Sequence, residues 1–308
     1  MSDSGQFGPW VSAEARAAFA AGEPQPPSQD IAALRLHYDA FNRRQLAVAQ
    51  ELYPVDVSEE IWDGVPVHVV VPAGGPRDPR TLVCLHGGAF MWGAGAGALL
   101  EAVPVAAASG MRAIAVDYRL APEHPFPAAV EDVLAVFARL NARQPAASIG
   151  LYGCSAGGML TAQVTARLAA EKAQLPGAIA MLHGAGLTMA GDSATTWSAF
   201  SPEGTASAGP HVEDFPYFAG ADLGSALVLP GNHPDVLAQF PPSLLVTASR
   251  DFAASSVSVM HRRLLAAGRT ALFVDFDGLG HAHHMLTDLP ESRETFALMA
   301  RFFGEHLA

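Results

Sequence analysis

The run Gly153-Cys154-Ser155-Ala156-Gly157 sets a serine between small residues, the Gly-x-Ser-x-Gly spacing of a nucleophile elbow. Ser148 to Tyr152 ahead of it reads as a strand and Ala156 to Ala170 behind it as a helix, which is the context the motif needs. A strand-to-helix turn this sharp tolerates no bulk beside the serine, and Gly153, Ala156, Gly157 and Gly158 meet that need. The hydroxyl would stand out of the sheet at a helix N-terminus, where free amides and the helix dipole favour developing negative charge. A second small-residue motif, His86-Gly87-Gly88-Ala89-Phe90, directly follows the strand-like run Thr81 to Leu85. Amides of Gly87, Gly88 and Ala89, with that of Ala156, are therefore candidates for an oxyanion hole. Either motif alone is also what a tight turn looks like in a Gly-rich protein; the two together, in this order and each after its own strand, point to acyl transfer through a serine.

The elements that must position these motifs alternate. Thr81 to Leu85, Met111 to Val116, Ser148 to Tyr152, Ala178 to Leu182, Ser243 to Ala248 and Ala271 to Phe276 are near-continuous apolar runs. Such strands belong to a mostly parallel sheet covered on both faces by helices. Ala128 to Leu140, Ala156 to Ala170, Ser255 to Ala267 and Ser292 to His306 carry apolar positions three and four apart, so they supply the helices and the fold class is α/β. Upstream, residues 11 to 50 read as helical around a Pro-rich break, and Val55 to Val71 as a β-hairpin turning at Asp63-Gly64. Gly184 to Pro242 breaks the rhythm: rich in Gly, Pro and Ser, it reads as an insertion over the sheet edge.

Composition excludes several classes of function. Of 308 residues half are hydrophobic and only 16% charged, so the chain is globular, and one domain over 1–308 accommodates it. Its formal net charge of -12 leaves no electrostatic footprint for nucleic acid or anionic lipid. The most apolar long window, Ala98 to Val116, is interrupted by Glu101, Pro104, Gly110 and Arg112 and does not read as a membrane span. Two cysteines, Cys84 and Cys154, make no disulfide framework, and Met1 to Trp10 lacks a secretory pattern, so the expectation is a cytoplasmic protein.

The sequence resembles the bacterial esterases related to hormone-sensitive lipase. The likeness covers the chain from about Val67 onward. It rests on His86-Gly87-Gly88 with Phe90 and Gly93, on the stretch Asp117-Tyr118-Arg119-Leu120-Ala121-Pro122-Glu123-His124-Pro125-Phe126-Pro127-Ala128-Ala129, and on Ser155-Ala156-Gly157-Gly158. The resemblance implies an α/β-hydrolase fold with a helical cap formed by about residues 1–50 and the insertion at about 185–240. It further implies short- to medium-chain carboxylic esters as substrates, no cofactor, and a homodimer as an assembly the family often forms.

A serine nucleophile needs a base, and the base an orienting acid, in the chain order Ser, Asp or Glu, His for this fold. Asp251 ends a predicted strand at the sheet edge where α/β proteins place their chemistry. His281, in the loop after the next strand, resembles the family's catalytic histidine. Asp275 and Asp277 remain competitors for the acid, and His283 and His284 for the base. The three histidines also raise a metal site, but no Cys, Asp or Glu pattern completes one and surface crowding explains them. The same triad serves lactone, amide or acyl-transfer chemistry, and a catalytically silent binder on this fold is the rival of another class.

The sequence departs from the family at three points: Ala89 replaces a third glycine, Cys154 stands where an acid is usual, and Ser255 where a second aspartate is usual. Cys154 as nucleophile is the minor alternative, because the middle residue of the elbow is the exposed one. Phe90, Trp92, Phe215 and Tyr217 are candidates for lining the substrate pocket, with core packing as the equal alternative, and Arg119 and Glu123 are expected to brace the Tyr118 to Ala129 segment.

Overall fold

The strands that are apolar at every position lie at the centre of the sheet, because only there do both faces meet a helix layer. The computed structural model describes residues 7–22, 26, 30–196, 211 and 214–308. The elements are α1 (Ala13–Ala21), α2 (Ile31–Leu52), β1 (Val55–Trp62), β2 (Val65–Pro72), β3 (Thr81–Leu85), α3 (Ala96–Ser109), β4 (Arg112–Val116), α4 (Ala128–Asn141), β5 (Ile149–Cys154), α5 (Ala156–Ala170), β6 (Ala178–Leu182), α6 (Asp192–Thr196), α7 (Pro234–Leu237), β7 (Ser243–Arg250), α8 (Ala254–Ala266), β8 (Ala271–Gly280) and α9 (Pro290–His306). The strand order is β1-β2-β4-β3-β5-β6-β7-β8, with β2 antiparallel to both β1 and β4 and the other pairs parallel.

Alternation along each strand divides the core in two. Val83 and Leu85 of β3 join α4, α5 and α8 on one face, while Leu82 and Cys84 join α1, α2, α3 and α9 on the other. The Asp63-Gly64 hairpin forms as expected, with φ of 50° and 90° at its two turn residues. The apolar window Ala98 to Val116 spans most of helix α3 and then β4, the strand expected at Met111 to Val116. Pro104 sits inside α3, where burial on almost every side replaces the hydrogen bond it cannot make. β8 runs to Gly280 rather than stopping at Phe276, and pairs with β7 through a register shift between Ala248 and Arg250. That extension carries the chain directly to His281.

Candidate active site

The elbow forms because two glycines leave room for it. A Cβ on Gly157 would lie 1.8 Å from the Leu85 carbonyl oxygen, and one on Gly153 2.5 Å from the same atom, so β3, β5 and α5 meet only with hydrogen there. Ser155 itself takes φ 55°, a left-handed conformation for a residue with a side chain, fastened by its amide donating to the Leu182 carbonyl at 2.7 Å. Its Oγ–H then donates to His281 Nε2 at 2.9 Å, and His281 Nδ1–H to Asp251 Oδ1 at 2.7 Å. Ser155, His281 and Asp251, 126 and 30 residues apart in sequence, thus form one continuous hydrogen-bonded line. The Phe252 ring stacks on the His281 imidazole with centroids 4.1 Å apart.

The competitors are placed elsewhere. Asp277 accepts hydrogen bonds from the Trp10 indole and the Ser249 hydroxyl at 2.7 and 3.2 Å, tying the segment before α1 to the end of β8. Asp275 lies along β8 opposite Thr247, its carboxyl raised by partial burial and by the acids Asp277 and Asp251. His283 and His284 are both buried, which corrects their reading as surface crowding. Burial and the neighbouring imidazoles hold both well below the usual histidine range, so they are neutral.

One histidine escaped sequence reasoning altogether. His183, fully buried after β6 at φ 53°, donates Nδ1–H to Asp251 Oδ2 at 2.7 Å, so the acid is shared by two imidazoles. Thr247 Oγ and the Ala253 amide add two more donors at 2.8 Å each. Burial pushes the Asp251 carboxyl up, but His281 and His183 together outweigh it and hold it well below the usual carboxylate range. Burial lowers His183, and its Nε2 has no partner among the described residues. Its only sequence signal was position: it lies one residue beyond the apolar run Ala178 to Leu182, at the sheet edge that carries the other site residues.

Among the described residues, two groups of side chains could offer ligand atoms to a metal ion, these atoms lying within 4.8 Å of one another: His183, Asp251 and His281, and Glu101, Cys154 and His284. Direct hydrogen bonds account for the contacts of the first. In the second, Glu101 is already engaged with the protein backbone.

The oxyanion loop departs from expectation at one residue. The Gly87 amide donates to Glu101 Oε1 at 2.6 Å, so it does not face the serine as a donor. The amides of Gly88, Ala89 and Ala156 have no acceptor among the described residues. Ala89 and Phe90 take φ of 51° and 62°, so the loop keeps a left-handed course although its third glycine is an alanine. Arg35 of α2 fastens the loop from outside, donating to the Met91 carbonyl at 2.8 Å, to the Ala121 carbonyl and to both oxygens of Glu123. Tyr118 supports it from below through its hydroxyl, which donates to the His86 carbonyl at 2.7 Å.

The four candidate pocket residues divide. Phe90 and Tyr217 are fully buried and stacked on each other with centroids 3.7 Å apart, so packing rather than contact with a ligand explains both. Trp92 is part-exposed beside the oxyanion loop and stacks on Tyr38 of α2; Phe215 is part-buried against the core. Cys154 is buried with its thiol pushed well up by desolvation and by Glu101, the opposite of what a thiolate nucleophile needs. Ser255 exchanges reciprocal hydrogen bonds with Ser193, stapling α8 to α6. Arg119 grips Asp132 and Glu131, and Glu123 pairs with Arg35, as the bracing role required.

A family profile described as alpha/beta hydrolase fold matches residues 82–285, two thirds of the chain. The chain belongs to this alpha/beta hydrolase family. Among the relatives of this hydrolase is an acetyl-hydrolase of Streptomyces hygroscopicus, 31% identical over 230 residues that cover 73% of this chain and 76% of the relative. Among solved structures, the esterase E25 superposes with a TM-score of 0.84 at 26% identity, covering 98% of this chain and 97% of that one. An esterase from the bacterial hormone-sensitive lipase family gives 0.76 at 24% identity, over 94% and 95% of the two chains. Among the described residues of the hydrolase, no helix is long and apolar enough to cross a membrane.

Proposed function

We propose that the protein is a serine carboxylesterase acting on short- to medium-chain carboxylic esters through an acyl-enzyme. The observation that carries this reading is the line from Ser155 Oγ to His281 Nε2 at 2.9 Å and from His281 Nδ1 to Asp251 Oδ1 at 2.7 Å. His281 takes the proton from Ser155 as Oγ attacks the ester carbonyl. Asp251, kept ionised by its donors, holds the Nδ1–H tautomer and stabilises the imidazolium that forms. The amides of Gly88, Ala89 and Ala156, which have no other acceptor among the described residues, take the negative charge of the tetrahedral oxygen. The imidazolium then gives its proton to the leaving alkoxide, which departs as the alcohol. Water, deprotonated by the same imidazole, attacks the acyl-enzyme and releases the acid and free Ser155.

Trp92 and Phe215 are the pocket residues this reading retains, under a cap to which α2 contributes through Arg35 and Trp92–Tyr38 stacking. The parts of the expected cap at 1–6, 23–25, 27–29, 197–210 and 212–213 lie outside the described residues. The reading places the enzyme in the cytoplasm, in keeping with two buried, unpaired cysteines, and allows a homodimer. It is tested by hydrolysis of p-nitrophenyl acetate, butyrate, octanoate and palmitate beside Ser155→Ala protein. A maximum at short or medium chain, lost in the variant, is the expected result. Folded native protein that turns over none of them and leaves Ser155 unlabelled by a fluorophosphonate would overturn the reading in favour of a silent binder.

A further inference from the structure

Helix α3 is apolar along almost its whole length, yet it buries a carboxylic acid at Glu101, 3% exposed and without a cation to pair with among the described residues. A buried carboxyl without an ion pair is costly, and it persists where its hydrogen bonds hold something in place. Glu101 Oε1 accepts the Gly87 amide at 2.6 Å, and the main-chain carbonyl of the same residue accepts the Tyr152 hydroxyl of β5 at 3.2 Å. Gly87 is meanwhile wedged against the elbow: a Cβ there would lie 3.2 Å from the Cys154 carbonyl oxygen, 3.4 Å from Glu101 Oε1 and 3.5 Å from Ser155 Cβ. One residue therefore touches the root of the oxyanion loop and the strand that delivers the nucleophile.

We propose that Glu101 is a positioning residue for the esterase reaction: by taking the Gly87 amide away from the substrate side, it turns the following peptide units so that Gly88 and Ala89 present theirs to the oxygen bound beside Ser155. The inference rests on the esterase reading above and deepens it. The Cys154 sulfur and a His284 ring nitrogen lie within 4.8 Å of the carboxyl, so its own O–H stays inside the protein. Burial favours the protonated form, pushing Glu101 up to about 8 against the Gly87 and Cys154 amides, and in either state Oε1 remains an acceptor.

Three variants separate reach from charge. Glu101→Gln keeps an oxygen at the same distance, Glu101→Leu removes it at similar volume, and Glu101→Asp keeps the acid but draws it back by one methylene. With p-nitrophenyl butyrate, Leu and Asp are expected to lower kcat about 10- to 100-fold with KM changed less than about threefold, a fraction of the 10²–10³ that a direct donor contributes. Gln should recover most of that loss. A trifluoromethyl ketone, whose adduct with Ser155 carries the oxyanion, should weaken in step with kcat/KM, a readout that general loosening of the fold would not track. Asp, which changes the core least, serves if Leu does not fold. Native-like kcat and ketone affinity in folded Leu or Asp protein would overturn the inference. Native enzyme that neither hydrolyses the ester nor binds the ketone would instead overturn the esterase reading.

Discussion

Asp251 faces two imidazoles at the same distance, 2.7 Å, and the two sides of that carboxylate are built for opposite ends. On the front, His281 keeps 21% of its side chain exposed and aims Nε2 at Ser155. On the back, His183 is 0% exposed, leaves Nε2 without a partner among the described residues, and packs against His283 and His284 with centroids 5.1 and 5.5 Å away. A base must exchange its proton with substrate and water; a ring sealed among neutral imidazoles can only hold its neighbour. The difference shows that proximity to the acid does not make a catalytic base. Access to the serine does, while the back of the carboxylate is fixed by groups that never touch substrate.

The largest effects should therefore fall on the front. His281→Ala is expected to lower kcat on the order of 10⁶-fold, as loss of a triad base does elsewhere. Asp251→Asn should lose about 10⁴-fold, because one amide oxygen cannot accept from both rings and the amide nitrogen opposes one of the two Nδ1–H groups. On the back, His183→Phe should lower kcat by less than about tenfold. It removes a hydrogen bond to a charged group, so its main cost is stability, about 2 kcal/mol in urea unfolding. If steady-state kinetics gave folded His183→Phe the loss of His281→Ala, the division between front and back would not stand.

The same division separates what was legible in the sequence from what was not. Ser155 was marked by its motif and chain order, whereas Asp251 and His281, at strand ends, were chosen with the help of the family resemblance, and Asp275, Asp277, His283 and His284 stayed open beside them until the structure joined the three. The central strands were equally legible, since burial on both faces leaves an unbroken apolar run such as Ala178–Leu182. The back layer was hidden because nothing local distinguishes it. Glu101 looked like an interruption in an apolar window, His283 and His284 looked like surface crowding beside the base, and His183 drew no reading at all; packing buries all four. Gly87 misled for a related reason: its motif predicted an exposed donor, and the acceptor that claims it lies 14 residues further on, in a helix that was not among the elements read from the sequence. Phe90 and Tyr217 stack on each other inside the core, so their type and their nearness to the motifs did not distinguish wall from lining.

The back layer also makes a prediction about pH. The folded-state value for Glu101, about 8, lies above its ordinary 4.5, so between those values the folded protein holds a proton that the unfolded chain has released. The contribution is fully present below about pH 4.5 and falls as pH rises toward 8, by ~1.4 kcal/mol per unit. The buried histidines act in the opposite sense, losing stability as pH falls below their ordinary 6.5, so the native curve alone mixes the two. Subtracting the curve of Glu101→Gln cancels the histidines. Urea midpoints from pH 5 to 9 should show native protein losing ground to the variant up to about pH 8 and running parallel above it. Curves parallel throughout would mean that the carboxyl is ionised in the folded state and the back layer is wetter than its packing implies.

The smallest expected effect returns to the front, at Ala89. Among the described residues, five non-glycine residues with positive φ lie around the site: Ala89 and Phe90 in the oxyanion loop, Ser155 at the elbow, His183 behind Asp251 and Ala282 next to His281. Ser155 and His183 are held there by amides donating to Leu182 and Val246 at 2.7 and 2.8 Å, whereas the Ala89 amide has no acceptor among the described residues. Ala89 is thus strained without local compensation, and glycine adopts φ 51° at little steric cost. Ala89→Gly should stabilise the fold by ~0.5 kcal/mol, the relief of strain being partly offset by the greater freedom glycine has in the unfolded chain. Since the loop already follows this course with a Cβ present, kcat for p-nitrophenyl butyrate should change by less than about twofold. A several-fold rise in kcat would instead show that the Ala89 methyl holds its peptide away from the best direction for the oxyanion. The front would then still carry a defect that the support from Glu101 behind Gly87 does not correct.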